Sequence, residues 1–150
     1  MKVNLIIPPD PFLGDDKRNA PLGLLYIAAV TKQAGYDASI TDLRGLREGL
    51  LERIPLDANV YGFTASTPSY NQALQLASYV KSQNAKAMTV LGGIHATALA
   101  HQIAPEFDKV VVGEGELSFQ RLLSDIERGK LTERVYSSNR IQDLDSIPFP

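Results

Sequence analysis

Five clusters of small and polar residues each follow an apolar, β-branched run: Pro8-Pro9-Asp10, Asp42-Leu43-Arg44, Thr64-Ala65-Ser66-Thr67-Pro68, Gly92-Gly93-Ile94-His95 and Gly113-Glu114-Gly115-Glu116. Each offers a ligand a different handle. Gly92 and Gly93 project no Cβ and accept positive φ, so backbone there can approach a flat or bulky group, although a glycine pair is also an ordinary tight turn. Gly113 and Gly115 expose N–H groups beside the start of a helix, and Glu114 and Glu116 accept from hydroxyls or amides. Those carboxylates repel phosphate, so a ribose or amide-rich ligand suits this cluster better than a nucleotide triphosphate. Their purely structural role is that of acids favoured by the helix dipole at an N-terminus. Thr64, Ser66 and Thr67 make a hydroxyl-rich turn, and one of them or Ser69 is expected to cap the next helix. A cap uses one hydroxyl, so the surplus points to a ligand.

The same inventory excludes several chemistries. The chain has no cysteine, hence no disulfide, zinc-thiolate site, iron–sulfur cluster or cysteine nucleophile of its own. His95 and His101 are its only histidines, and neither shows metal-ligand spacing or a neighbouring nucleophile, so no catalytic or metal role is assigned. His95 is the better ligand candidate because it follows the glycine pair. No Walker lysine loop is present, and no Gly-x-Gly-x-x-Gly follows the first apolar run. Gly-x-Ser-x-Gly is missing. A receiver domain needs an aspartate where Gly62-Phe63-Thr64 stands.

The elements that must position these clusters follow from hydrophobic period. Residues 3–7, 38–41, 59–63, 87–91 and 109–112 read as strands. Helices are expected from Pro21 to Gly35, over 46–54, 69–82 and 97–103, and over 117–128. Their alternation predicts an α/β fold: a flavodoxin-like, doubly wound, five-stranded parallel sheet of order 2-1-3-4-5 in a three-layer α/β/α arrangement. In such a sheet the loops leaving the carboxyl ends of the strands share one edge, which brings the five clusters to one surface. The loop from Pro8 to Pro21 exceeds the usual 2–6 residues of such connections. Residues 1–130 are read as the domain. Residues 131–150, ending Asp143-Leu144-Asp145-Ser146-Ile147-Pro148-Phe149-Pro150, lack helical period and are read as a linker that leaves the core.

Composition agrees with one compact domain: 150 residues, 44% hydrophobic, formal net charge −2. Such a length buries about two-thirds of its unfolded surface, enough for a core without staples. Without a basic run, binding to nucleic acid or anionic membrane has no support. No apolar stretch approaches the ~20 residues of a membrane span, and the first is too short for a signal-peptide core, so a cytoplasmic location is expected.

Pro21-Leu22-Gly23-Leu24-Leu25-Tyr26-Ile27-Ala28-Ala29, Ala34-Gly35-Tyr36, Leu91-Gly92-Gly93-Ile94-His95-Ala96-Thr97, Val112-Gly113-Glu114-Gly115-Glu116 and the terminal Asp143-to-Pro150 segment, in this order, resemble the amino-terminal cobalamin-binding domain of radical S-adenosylmethionine enzymes. The resemblance implies a corrin over the carboxyl edge and a nucleotide tail descending among the core elements. It places Thr64 against the tail's base, Gly92 and Gly93 along the tail channel, and Gly113, Glu114, Gly115 and Glu116 near the nucleotide. With their neighbours Ala65, Ser66, Thr67, Ile94 and His95, and with Phe12 or Leu13 covering the lower face of the corrin, these form the expected cofactor-binding set. Cobalamin domains of the methionine synthase and mutase type carry Asp-x-His-x-x-Gly after the first strand. Here that region reads Pro9-Asp10-Pro11-Phe12-Leu13-Gly14, which implies base-off cobalamin with no protein histidine on cobalt.

The resemblance further implies a parent enzyme, a methyltransferase or related transferase, whose following barrel domain binds a 4Fe-4S cluster and S-adenosylmethionine. The 150 residues are then a cofactor-binding partner of that barrel, with no catalysis alone. Two alternatives stand beside this: a degenerate scaffold domain of the same family that binds no cobalamin, and a flavodoxin-like flavin or nucleotide module. The latter calls for a hydroxyl-rich first loop, and Pro8 to Gly14 has no hydroxyl side chain.

Overall fold

The computed structural model describes all 150 residues. Six strands, β1 (Lys2–Ile7), β2 (Asp37–Asp42), β3 (Val60–Thr64), β4 (Met88–Gly92), β5 (Lys109–Val112) and β6 (Val135–Ser137), form one sheet of order β2-β1-β3-β4-β5-β6. Every neighbouring pair is parallel. Four helices cover it: α1 (Leu22–Gln33), α2 (Tyr70–Gln83), α3 (Ile94–Leu99) and α4 (Gly115–Glu127). The expected order is therefore observed, with one strand added at the edge.

Side chains alternate across each strand, and the two faces build two cores. Val3, Leu5, Val60, Val90 and Val111 meet Ala28 of α1 and Phe119, Leu122 and Leu123 of α4. On the other face Ile6, Tyr61, Phe63, Leu91 and Val110 meet Ala73, Leu76, Ala77 and Val80 of α2 and Ala96 of α3. Asn4, the polar interruption of the first apolar run, is buried but satisfied: its amide donates to Ser39 Oγ at 2.9 Å and Thr41 Oγ1 at 3.0 Å across β2. Gly35 ends α1 at φ +88°, as its position predicts.

Two expectations are corrected. The helix expected over 46–54 is absent; only a single 3₁₀ turn, Leu51–Arg53, forms there. Gly45 and Gly49 take φ +74° and +65°, which breaks any helix through them, and Leu43 and Ile54 are buried as plugs instead. The segment after residue 130, expected to leave the core, returns to it: β6 pairs with β5, and Tyr136 is fully buried. Its OH donates to Asp125 Oδ2 at 3.1 Å, and the Arg121 guanidinium lies 5.0 Å from its ring centre. No helix is long and apolar enough to cross a membrane.

Candidate functional site

A cavity of about 270 Å³ opens at the carboxyl edge, between the sheet and the α1/α4 layer. The strand register arranges its walls in two rows. Near the mouth Thr64 pairs with Gly92, and Val111 lies beside Gly92. Deeper, Leu5, Gly62 and Val90 stand side by side. Gly23, Leu24 and Ile27 of α1 and Phe119 of α4 face them, and the turn Gly113 to Glu116 closes one side.

The mouth exists because two turns pack without side chains between them. Gly93 has φ +91°, and a Cβ there would stand 2.8 Å from Thr64 Oγ1 and 2.9 Å from the Ala65 carbonyl oxygen. Backbone bonds fix this approach: Ala65 N–H donates to Gly92 O at 3.2 Å and His95 N–H to Ala65 O at 3.1 Å. Gly115 plays a related part between helices, since a Cβ there would meet Ile27 Cδ1 at 2.8 Å. Gly113, at φ +75°, donates its N–H to Thr97 Oγ1 at 3.0 Å.

The surplus of hydroxyls after β3 resolves into separate tasks. Ser69 stands at the N-cap position of α2 without capping through its side chain; its Oγ accepts from Ser66 N–H at 3.0 Å and contacts Ser66 Oγ at 3.0 Å. Thr67 Oγ1 pairs with His95 Nδ1 at 3.1 Å. Thr64 is what remains, its hydroxyl at the cavity with no hydrogen-bond partner in the chain. Asp, Glu, His and Cys gather nowhere into a group of three that could hold a metal.

Of the expected binding residues, Thr64, Gly92, Gly93, Gly113, Glu114, Gly115 and Glu116 line the cavity together. Ala65, Ser66 and Thr67 shape the turn behind it. His95 lies off the cavity, 7% exposed, its ring stacked on Tyr70 at 4.1 Å; burial pushes its pKa below the usual histidine value. Ile94, Phe12 and Leu13 are 72%, 80% and 51% exposed and take no part in the cavity walls. The loop carrying Phe12 and Leu13 is tethered from outside: Arg44 Nη1 donates to Asp16 O at 3.1 Å and Asn19 O at 2.8 Å, and Arg47 Nη2 to Leu13 O at 3.1 Å. Arg44 in turn forks onto Asp42, and that hydrogen bonding holds the Asp42 carboxyl below the usual range.

Glu114 serves the mouth and the tail at once. Its carboxylate accepts from Ile141 N–H at 2.8 Å and lies 3.6 Å from Arg140 Nε, while its carbonyl accepts from Ser138 Oγ at 3.3 Å. Glu116 sits in the first turn of α4, where the dipole favours it. The apolar walls Leu5, Leu24, Ile27, Val90, Val111 and Phe119 escape a reading by period, because they carry ordinary core spacing. Gly62 was the available signal: a glycine inside an apolar strand marks a close approach.

A model of the B12 binding domain matches residues 17–123. An uncharacterized methyltransferase of Pyrococcus horikoshii is 32% identical across the whole chain, which spans 38% of that protein. An anaerobic magnesium-protoporphyrin IX monomethyl ester cyclase of Rubrivivax gelatinosus is 33% identical over 73% of the chain and 21% of its own length. The chain thus spans well under half of these curated relatives. Among solved structures, the radical S-adenosylmethionine methyltransferase TsrM of Kitasatospora setae superposes with a TM-score of 0.64 at 17% identity, over 87% of this chain and 26% of that one. The RcsB response regulator of Salmonella typhimurium gives 0.58 at 19% identity, over 86% and 61%. At those identities both likenesses concern the fold.

Proposed function

Because the chain belongs to the B12 binding domain family, we propose that it holds a cobalamin over the carboxyl edge, with the nucleotide tail in the cavity between the sheet and α1 and α4. The observation that carries this is the unpartnered Thr64 hydroxyl at the cavity, beside Gly92, which puts no side chain into it, and Gly93, where no Cβ fits. Thr64, Gly92 and Gly93 would hold the tail, and Gly113, Glu114, Gly115 and Glu116 its sugar or the corrin amides. Phe12 and Leu13 in the loop after β1 and Ile94 at the start of α3, exposed apolar residues at that edge, are suited to cover corrin; Ala65, Ser66, Thr67 and His95 hold the turns in place. When bound, cobalamin supplies a cobalt that accepts and passes on a methyl group. No histidine lies in the loop after β1, so that loop would place no imidazole on cobalt, and a base seated in the cavity would leave the cobalt base-off.

The parent protein, on this reading, is a cobalamin-dependent radical S-adenosylmethionine enzyme, a methyltransferase or related transferase of the cytoplasm. The name of one relative, a methyltransferase, supports the transferase part of this reading. Residues after β6 would lead to a barrel domain holding a 4Fe-4S cluster and S-adenosylmethionine, and these 150 residues would not turn over alone.

The test is retention of hydroxocobalamin through gel filtration, with the absorption spectrum of the protein fraction. A retained corrin with a base-off spectrum is expected. Thr64→Val should weaken retention about fivefold, one hydrogen bond's worth, while leaving the urea midpoint unchanged, because Oγ1 has no partner to lose. A base-on spectrum would refute the cobalt-ligation reading, and a colourless protein the cobalamin reading, favouring a scaffold role.

A further inference from the structure

We infer that Thr97, which lies outside the cavity walls, is a positioning residue for them: its one hydroxyl holds the two glycine turns of the mouth in register. This deepens the cobalamin reading and rests on it. The need for such a tie follows from the sheet. Pairing of β3 with β4 runs out to Thr64 and Gly92, and pairing of β5 with β6 to Val112 and Ser137. Pairing of β4 with β5 stops earlier, at Leu91 and Val110. The turns that follow, Gly92-Gly93 and Gly113 to Glu116, therefore stand on strand ends that no ladder ties together, and both line the cavity.

Thr97 in α3 spans that break. Its Oγ1 donates to the Gly93 carbonyl at 2.9 Å and accepts from the Gly113 N–H at 3.0 Å. The first bond is the ordinary back-bond of a helical threonine to the carbonyl four residues earlier. Here it also aims the oxygen: with its single proton given to Gly93, the hydroxyl has a lone pair free for Gly113 on the neighbouring turn. The two turns differ in what else holds them. Gly93 is wedged against Thr64 and Ala65, whereas a Cβ at Gly113 would meet nothing within 4 Å, so packing does not fix its φ of +75°. The backbone between Val112 and Gly115 thus takes its place from the Gly93 turn through one oxygen. Without that oxygen the Gly113 N–H turns to water, and a ligand at the mouth must first order this backbone, which lowers affinity without removing any ligand contact.

The experiment compares Thr97→Val, Thr97→Ala and Thr97→Ser with the unmodified protein. Affinity for hydroxocobalamin is read by equilibrium dialysis, and exchange of the Gly113 amide with solvent by NMR without corrinoid. The valine and alanine variants, which lack the hydroxyl, are expected to bind about fivefold more weakly, the equivalent of one hydrogen bond, and to exchange Gly113 at least about threefold faster. The serine variant keeps the hydroxyl and is expected to stay within about twofold of the unmodified protein in both. A role in stability alone would move the urea midpoint and leave the affinity of the folded variants unchanged, a result that overturns the proposal. A serine variant as weak as the alanine one also overturns it, because the effect would then belong to the methyl group. Gly113 exchange that ignores the hydroxyl removes the tie and leaves the cobalamin reading standing, whereas an unmodified protein that binds no corrinoid overturns both. Alanine suits a helix better than valine, so Thr97→Ala decides if Thr97→Val does not fold.

Discussion

Thr64 and Gly93 divide one small space between them, and the division leaves position 93 no room for a side chain. A side chain at 93 would occupy the hydroxyl's place, and the backbone there lies in the left-handed region that β-carbons resist. Gly93→Ala should therefore lower stability by at least about 2 kcal/mol, seen as a fall in the urea midpoint, and abolish corrinoid retention. Gly129→Ala is the control: φ is +64° but a Cβ would meet nothing within 4 Å, so the loss should be about 1 kcal/mol and retention should survive. At this scale the sequence was most legible where chemistry breaks a pattern. The glycine pair, Thr64 and the Gly-Glu-Gly-Glu turn stand out from apolar runs and do line the cavity. His95 lies off the cavity because adjacency to a glycine pair says nothing of which sheet face a helix turns toward; α3 turns it to Tyr70. Leu5, Val90 and Phe119 stayed hidden because alternation encodes face and not depth.

Strand β6 carries more than its three residues suggest. Tyr136 buries a whole ring between β5 and α4, tied at its hydroxyl to Asp125. Tyr136→Phe removes only that bond and should cost about 1 kcal/mol. Tyr136→Ala empties the site and should cost about 3–5 kcal/mol in equilibrium denaturation, a loss a linker residue would not show. A run as short as Val135-Tyr136-Ser137 gives no period to read, and its pairing depends on Val110 N–H reaching the Arg134 carbonyl at 2.8 Å, a contact between distant segments. The missing helix over 46–54 is the converse case. Its apolar spacing suits a helix, but Gly45 and Gly49 adopt backbone that no helix contains.

For the molecule as a whole, acid should act in two steps. Burial holds the folded His95 below the ordinary value near 6.5, so below that pH the unfolded chain takes the proton first and stability falls until the folded value is passed. Asp42 is held below its ordinary 3.8 by Arg44, so its contribution is full above that value and is lost as pH drops through the folded one. Urea midpoints from pH 7.5 to pH 3 should show both slopes; His95→Gln should flatten the upper and Asp42→Asn the lower. The doubly wound order itself was readable from alternation, since right-handed crossovers leave few alternatives. What no local pattern announces is how the connections lean on one another. The long loop after β1 is hung at three carbonyls from Arg44 and Arg47, which belong to the connection after β2. Those two loops are therefore one mechanical part, a plate spanning two strands and not a flap hinged at its own ends. Displacing Phe12 and Leu13 alone breaks the Arg47 bond to the Leu13 carbonyl, a loss that a joint movement with the connection after β2 avoids.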